Sequence, residues 1–191
     1  MHPLMYIDID EKELQSNTKE KIKERINIKG ITCSKCGKSG CLVIHGYLSG
    51  YAETGDKMII RGIRLLCNDR YRRGGCGKTH SIFSFELIKS HMIRTTSLWE
   101  FFKGISRGLS KKDSLKRSKL SFSSSLCYNI ISRFKTKLLE IRNNLCRIMK
   151  APIVTGIKDP LIETIIHLKY AFHAEVNPVR AYQKFFQVSF L

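Results

Sequence analysis

The sequence contains no long uncharged apolar run, and this absence excludes a membrane-spanning protein. A transmembrane helix needs roughly 18 to 20 predominantly apolar residues, and no stretch of the 191 residues approaches that without charge. The amino terminus, residues 1–13, turns acidic where a secretory signal peptide would be apolar. We therefore expect a cytoplasmic, nucleoid-associated protein with no membrane partner.

Acidic residues are scarce, and they are scarcest in the middle of the chain. The sequence has 16 Asp and Glu against 34 Lys and Arg, which gives a formal net charge of +18. Residues 94–150 contain fourteen bases and three acids, whereas residues 1–29 are balanced. A solvated face ordinarily mixes both signs, so this excess predicts a surface that displaces counterions from phosphates. An anionic membrane fits less well, because the basic region lacks a helix with the broad apolar face that inserts into lipid.

Common catalytic motifs are also missing. The sequence has no phosphate-binding loop, no His-Glu-x-x-His and no Ser-His-Asp order. The segment 104–108 contains two glycines, but it lacks the lysine and the preceding strand that a nucleotide-binding loop requires. We therefore assign no catalytic residue.

The spacing of the cysteines, in contrast, indicates a metal site. The chain has seven cysteines, an odd number, and in a reducing compartment thiols stay free to bind metal. Two thiolates separated by two residues and followed by glycine, as in Cys33-Ser-Lys-Cys36-Gly, hold one tetrahedral ion from a single turn. Cys67 and Cys76 form a looser second pair around an arginine-rich loop. The four cysteines predict a Zn²⁺ site, and we expect the remaining three, Cys41, Cys127 and Cys146, to be small buried hydrophobes.

The pattern along the chain predicts four segments. Residues 1–29 form an amino-terminal arm, with an extended piece at 4–9 and then a charged helix. Residues 30–93 contain three short β-like runs, at 42–48, 58–66 and 79–85, which have too little core for stability without a metal. Residues 94–150 form a helical bundle and residues 151–191 a helical extension. The predicted fold is α+β: a small three-stranded zinc ribbon followed by an α-helical helix-turn-helix bundle.

The basic segment predicts three helices. Apolar residues at three-and-four spacing indicate a first helix that ends near Gly108, and Ser110 is placed to cap a second helix over 111–119. A third helix begins after Ser123 and continues to about residue 149, with an apolar stripe on one side. In the extension we expect a helix over 159–174 and an aromatic tail, 182–190, that either completes the helical core or contacts another subunit.

The face of the third helix opposite its apolar stripe is the predicted DNA-reading surface. A helix-turn-helix inserts the first turns of its second helix into the major groove, where Asn and Arg read base edges. Base reading is assigned to Ser125, Asn129 and Arg133. Phosphate contacts are assigned to the nearby cations, which are Arg70, Arg72, Arg73, Lys111, Lys112, Lys116, Arg117 and Lys119. The rival interpretation is the ordinary solvent face of a helical bundle.

The order of these motifs resembles a segment of a known family. Cys33-x-x-Cys36-Gly is followed by Val43-Ile44-His45-Gly46-Tyr47, Ile63-Arg64-Leu65-Leu66-Cys67 and Gly75-Cys76-Gly77-Lys78-Thr79. This order is similar to the zinc-ribbon segment at the front of many bacterial insertion-sequence transposases, in which a helix-turn-helix follows. The resemblance covers residues 30–149. It implies sequence-directed binding to transposon ends, with Cys33, Cys36, Cys67 and Cys76 as the metal ligands.

Two features depart from that family. His80 stands where an aromatic residue often follows the threonine, four residues after Cys76, so it competes with Cys67 as a ligand. Such transposases also continue into a ribonuclease-H-type core with three carboxylates, which needs roughly 100 residues or more. After Lys150 only 41 residues remain, with Asp159, Glu163 and Glu175 as their acids. We therefore expect no enzymatic activity from this chain.

The sequence thus predicts a zinc-stabilised protein of a mobile element that binds double-stranded DNA. It is either the DNA-binding part of a transposase or an accessory protein. Two alternatives remain open: an RNA-binding zinc-ribbon protein, and the end-recognition subunit of a transposase whose catalytic core lies on another chain. A homodimer and a complex with such a transposase subunit are the expected protein assemblies.

Overall fold

The structure is a computed structural model, and it describes residues 4–7, 9, 14, 26–69, 74–89, 91–120 and 125–191. The chain divides into two compact units, Met1–Phe85 and Glu86–Leu191. The four segments predicted from the sequence, 1–29, 30–93, 94–150 and 151–191, stay a prediction. The charged helix expected in the first of them falls largely outside the described ranges.

The first unit is built on a four-stranded mixed sheet with the order β1-β4-β3-β2. Its strands β2 (Leu42–Tyr51), β3 (Met58–Cys67) and β4 (Thr79–Ser84) pair antiparallel and coincide with the three predicted β-like runs. A fourth strand, β1 (Leu4–Ile7), pairs parallel with β4. The sequence pattern predicts an extended segment there, but not its place in a sheet. A short 3-10 helix, Ile28–Gly30, precedes the first cysteine pair.

The second unit contains five α-helices among its described residues. The first three lie where the sequence predicts them: α1 is Thr95–Ser106, α2 is Lys111–Arg117 and α3 is Ser125–Cys146. The hydroxyl of Ser110 accepts a hydrogen bond from the backbone N–H of Asp113 at 3.1 Å, so Ser110 is the predicted cap of α2. The last two helices are α4 (Pro160–Ala171) and α5 (Pro178–Phe186), each with proline in its first turn.

The longest helix, α3, buries the predicted stripe and exposes the opposite side. Ile130, Phe134, Ile141 and Leu145 are buried, and Cys127 and Ile131 widen the buried face. The exposed side carries a series of polar residues, so α3 is a two-faced helix of a folded bundle. Within the ranges that the structure describes, no helix combines the length and the apolar character needed to cross a membrane.

The carboxyl-terminal tail completes the core of the second unit. Tyr182 and Phe190 are fully buried, and the ring of Phe190 stacks on that of Phe134 with centroids 5.5 Å apart. The buried amide of Gln183 donates to the carbonyl of Leu87 at 3.2 Å and accepts from the N–H of Phe190 at 3.1 Å. Of the two roles predicted for this tail, packing in the helical core is therefore confirmed.

We expect Phe134→Ala to destabilise the protein by about 3–5 kcal/mol, because it removes the ring that packs between Phe102, 4.7 Å away, and Phe190. Leu139→Ala on the same helix is the matched control, since Leu139 is 72% exposed and its truncation should change stability by no more than about 0.5 kcal/mol. Urea unfolding followed by the helical circular dichroism signal measures both. Equal midpoints for the two variants would contradict the assigned core.

Candidate metal centre and basic helical face

The first unit brings two pairs of cysteines together from distant parts of the chain. Cys33 and Cys36 lie on the turn before β2, Cys67 ends β3, and Cys76 precedes β4. The four Sγ atoms all lie within 4.8 Å of one another. Across the two pairs, Cys33 Sγ is 3.8 Å from Cys76 Sγ, and Cys36 Sγ is 3.7 Å from Cys67 Sγ. This group can hold a metal ion.

The two cysteine turns share one backbone hydrogen-bond pattern although their spacings differ. In the first turn, the N–H of Cys33 donates to the carbonyl of Lys38 at 2.8 Å, and the N–H of Gly37 donates to the carbonyl of Cys33 at 2.8 Å. In the second, the N–H of Cys67 donates to Lys78 at 2.8 Å, and the N–H of Gly77 donates to Cys67 at 2.9 Å. Each second cysteine is thus followed by a glycine bonded back to the first. Both glycines have positive φ, 71° and 69°, which favours glycine there.

Eight residues separate Cys67 from Cys76, and the two ends of this insertion are bonded to each other. The N–H of Gly75 donates to the carbonyl of Asn68 at 3.0 Å. The Lys38 ammonium donates to the carbonyl of Gly74 at 2.6 Å, which joins the end of the insertion to the first turn. The longer spacing of this second pair therefore does not keep its two sulfurs out of the group of four. The three arginines predicted on this loop, Arg70, Arg72 and Arg73, lie outside the described residues.

The surroundings of the thiols favour the thiolate form at Cys33. Burial pushes its pKa upward, but hydrogen bonds from the backbone N–H groups of Cys36 and Lys35, with smaller contributions from Cys36 and Cys67 thiols, outweigh burial and hold the pKa at about 6. Burial raises the pKa of the Cys67 thiol. The N–H of Cys76 donates to Cys67 Sγ at 3.3 Å, which is the kind of bond that supports a ligand sulfur. At neutral pH the cluster thus contains at least one thiol disposed to bind a cation.

His80 contacts the cluster from β4 without being one of the four grouped donors. Its Nε2 lies 3.2 Å from Cys33 Sγ, and its ring is buried. The group of mutually close donor atoms contains the four cysteines and does not include His80. An imidazole nitrogen at this distance can hydrogen-bond the Cys33 sulfur and fix its orientation, which is the role of a residue outside the ligand set.

Cys41 also reaches the cluster, a contact that no local pattern in the sequence predicts. It is buried, as expected, but its Sγ lies 3.2 Å from Cys67 Sγ. The strand register explains the approach, because Leu42, the next residue, pairs with Cys67 across β2 and β3. Cys127 is buried as predicted. The prediction is wrong for Cys146, which is exposed because it ends α3 beside the buried stripe and not on it.

The second unit exposes the remaining predicted nucleic-acid residues on α2 and on the first half of α3. The cations Lys111, Lys112, Lys116, Arg117 and Lys119 are all exposed, as are Ser125, Asn129 and Arg133. The ammonium of Lys111 lies 5.0 Å from the centre of the Tyr128 ring, a cation–π contact that joins the start of α2 to α3 next to Asn129. We call these eight residues the basic helical face.

Comparisons with protein-family models, with curated proteins and with solved structures found no match.

From the contact between His80 and Cys33, we predict that His80 strengthens metal binding. His80→Phe keeps most of the ring volume but removes the ring nitrogen next to the Cys33 sulfur, and we expect metal to bind about 10–100-fold more weakly. His45→Phe is the matched control, since His45 is exposed on β2 and should leave the affinity unchanged. Competition with a chromogenic chelator measures both affinities. An unchanged affinity in His80→Phe would show that the imidazole only fills space.

Proposed function

We propose that the protein binds double-stranded DNA in a sequence-directed manner, with Zn²⁺ stabilising its first unit and α3 reading DNA in its second. The observation that carries this proposal is the basic helical face. Four cations of α2, Lys119 just beyond its end, and three groups of α3 suited to base edges are exposed, and Lys111 of α2 contacts the Tyr128 ring of α3. No acidic residue of α2 or α3 other than Asp113 and Glu140 offsets that charge.

Zinc is the proposed metal because of the type of donor atoms and the distances between them. Four thiolates without oxygen donors suit a soft or borderline cation, and Cys₄ is a common ligand set of structural zinc. Four sulfurs about 2.3 Å from a tetrahedral ion lie about 3.8 Å from one another. The distances of 3.8 Å and 3.7 Å across the two cysteine pairs support that size.

The geometry of α3 supports base reading in its first turns. Asn129 and Arg133 are exposed one turn apart, and the residue that follows each of them, Ile130 and Phe134, is buried. The helix is therefore fixed by its apolar side while the two polar side chains project from the other. Asn pairs well with adenine and Arg with guanine in the major groove. We propose that α2 and α3 act together as a helix-turn-helix.

In this proposal the carboxylates that follow residue 150 have structural roles and no catalytic one. The carboxylate of Asp159 accepts from the N–H of Leu161 at 2.9 Å and caps α4. Glu163 pairs with Arg142 at 3.4 Å. These structural roles agree with a DNA-binding part or accessory protein of a mobile element, whose strand transfer is carried out elsewhere.

If the metal is zinc, elemental analysis of the purified protein should find it in stoichiometric amount, and Cys76→Ser should lose most of it, because three thiolates leave one position of the tetrahedron without a protein ligand. Cys146→Ser is the matched control, since Cys146 is exposed at the end of α3. Equal zinc content in both variants, or no zinc in the wild type, would contradict the site.

If α3 reads bases, Asn129→Ala and Arg133→Ala should each lower discrimination between the preferred and other duplexes by about 1–3 kcal/mol. Lys116→Gln and Arg117→Gln should instead weaken all duplexes about equally, and each should reduce the salt slope by about one. Lys158→Gln removes one exposed charge outside the basic helical face and serves as the control. The preferred duplex comes from selection out of a random pool, and electrophoretic shifts at several salt concentrations measure each affinity.

Two outcomes would overturn this assignment. Variants on α3 that leave discrimination intact would show that the exposed face is only solvated. Structured RNA that displaces duplex DNA at equal charge would favour the RNA-binding alternative.

A further inference from the structure

A groove separate from the basic helical face lies between α1 and α4 in the second unit. The segment 152–155 closes one side of it, and its volume is about 440 Å³. That volume falls within the roughly 300–1,000 Å³ of small-molecule sites. The lining residues that give the groove its charge and its aromatic and apolar surface are Trp99, Lys103, Arg107, Ile153, Lys169 and Tyr170.

The groove is positively charged from both helices. Lys103 and Arg107 are four residues apart, so they lie about one helical turn, or about 6 Å, from each other along α1. Lys169 faces them from the last turn of α4. Lys103 pairs with Glu100, whereas Arg107 and Lys169 have no ion pair within the described part of the chain. Two of the three cations are thus available to an anionic ligand.

The same groove presents aromatic and apolar surface beside these charges. Tyr170 stands next to Lys169 and is 54% exposed, although it is a large ring on an otherwise well-packed helix. Trp99, the only tryptophan of the chain, is nearly buried at the other wall. Ile153 is 94% exposed in the closing segment. An exposed aromatic ring beside several cations is an arrangement that binds unpaired nucleotides, because bases stack on rings while phosphates contact the cations.

We propose that this groove binds single-stranded nucleic acid, with a base stacked on Tyr170 and neighbouring phosphates held by Lys103, Arg107 and Lys169. This site goes beyond the duplex binding proposed above, since none of its residues belongs to the basic helical face. An acidic peptide shares the charge requirement but not the need for an exposed aromatic ring beside the cations, so the nucleotide accounts for more of the groove.

The position of Trp99 supplies a direct readout of the groove. Titration of the full-length, metal-loaded protein with a short oligothymidylate should quench the tryptophan emission as the strand occupies the groove. Tyr170→Ala should weaken this binding about tenfold, whereas Tyr170→Phe, which keeps the ring, should bind like the wild type. Arg107→Gln and Lys169→Gln should each reduce the salt slope by about 0.7, the value for one phosphate of a single strand.

The controls separate this proposal from the duplex-binding one. Arg133→Gln changes the basic helical face and should leave binding of the oligothymidylate unchanged, while Tyr170→Ala should leave discrimination between duplexes unchanged. Equal affinity for oligothymidylate in Tyr170→Ala and Tyr170→Phe would overturn the stacking role. Polyglutamate of matched charge that quenches Trp99 as strongly as the oligonucleotide would overturn the nucleic-acid assignment. Comparison of oligodeoxyuridylate with oligouridylate, which differ only in the sugar 2′-hydroxyl, identifies the preferred sugar.

Discussion

The first unit depends on four sulfurs that must lie close together although they come from two distant turns. Thiols give weak hydrogen bonds, and one of the four, Cys33, has a pKa of about 6, so charge accumulates there. The proposed cation would compensate that charge and turn the cluster into a cross-link between the turn before β2 and the turn between β3 and β4. Such an ion would supply stability that a small core cannot supply alone.

The shared backbone pattern of the two turns shows why cysteine spacing is a limited guide. Metal binding depends on the positions of the sulfur atoms and not on the number of residues between them. The backbone bonds from Gly37 to Cys33 and from Gly77 to Cys67 set those positions. The N–H of Gly75 donates to the carbonyl of Asn68, so the two ends of the insertion lie together. An insertion whose ends are joined in this way can vary in length without moving the ligands.

Local signals allowed α1 to α4 and three strands to be predicted, whereas α5 was expected only as an aromatic tail. The other features that the sequence analysis missed depend on pairing between distant residues. Ser110 caps α2, and the apolar stripe of α3 runs through Phe134, since both features are encoded within a few residues. The place of β1 beside β4 has no such signal, because it joins residues far apart in the chain. Cys41 was missed for the same reason: its contact with Cys67 follows from the register of β2 on β3. The four ligand candidates were predictable because their turn chemistry is local.

In the second unit, the packing of aromatic rings determines how well surface groups are positioned. Phe134 follows Arg133 on α3, and Phe102 precedes Lys103 on α1, so each surface cation is adjacent to a buried ring. Phe102 and Phe134 contact each other at 4.7 Å, and both contact Phe190. The basic helical face and the groove between α1 and α4 are therefore built on helices that share one rigid core. Because such a core fixes backbone position to well under the length of a side chain, binding at either proposed surface would not require the backbone of these helices to become ordered.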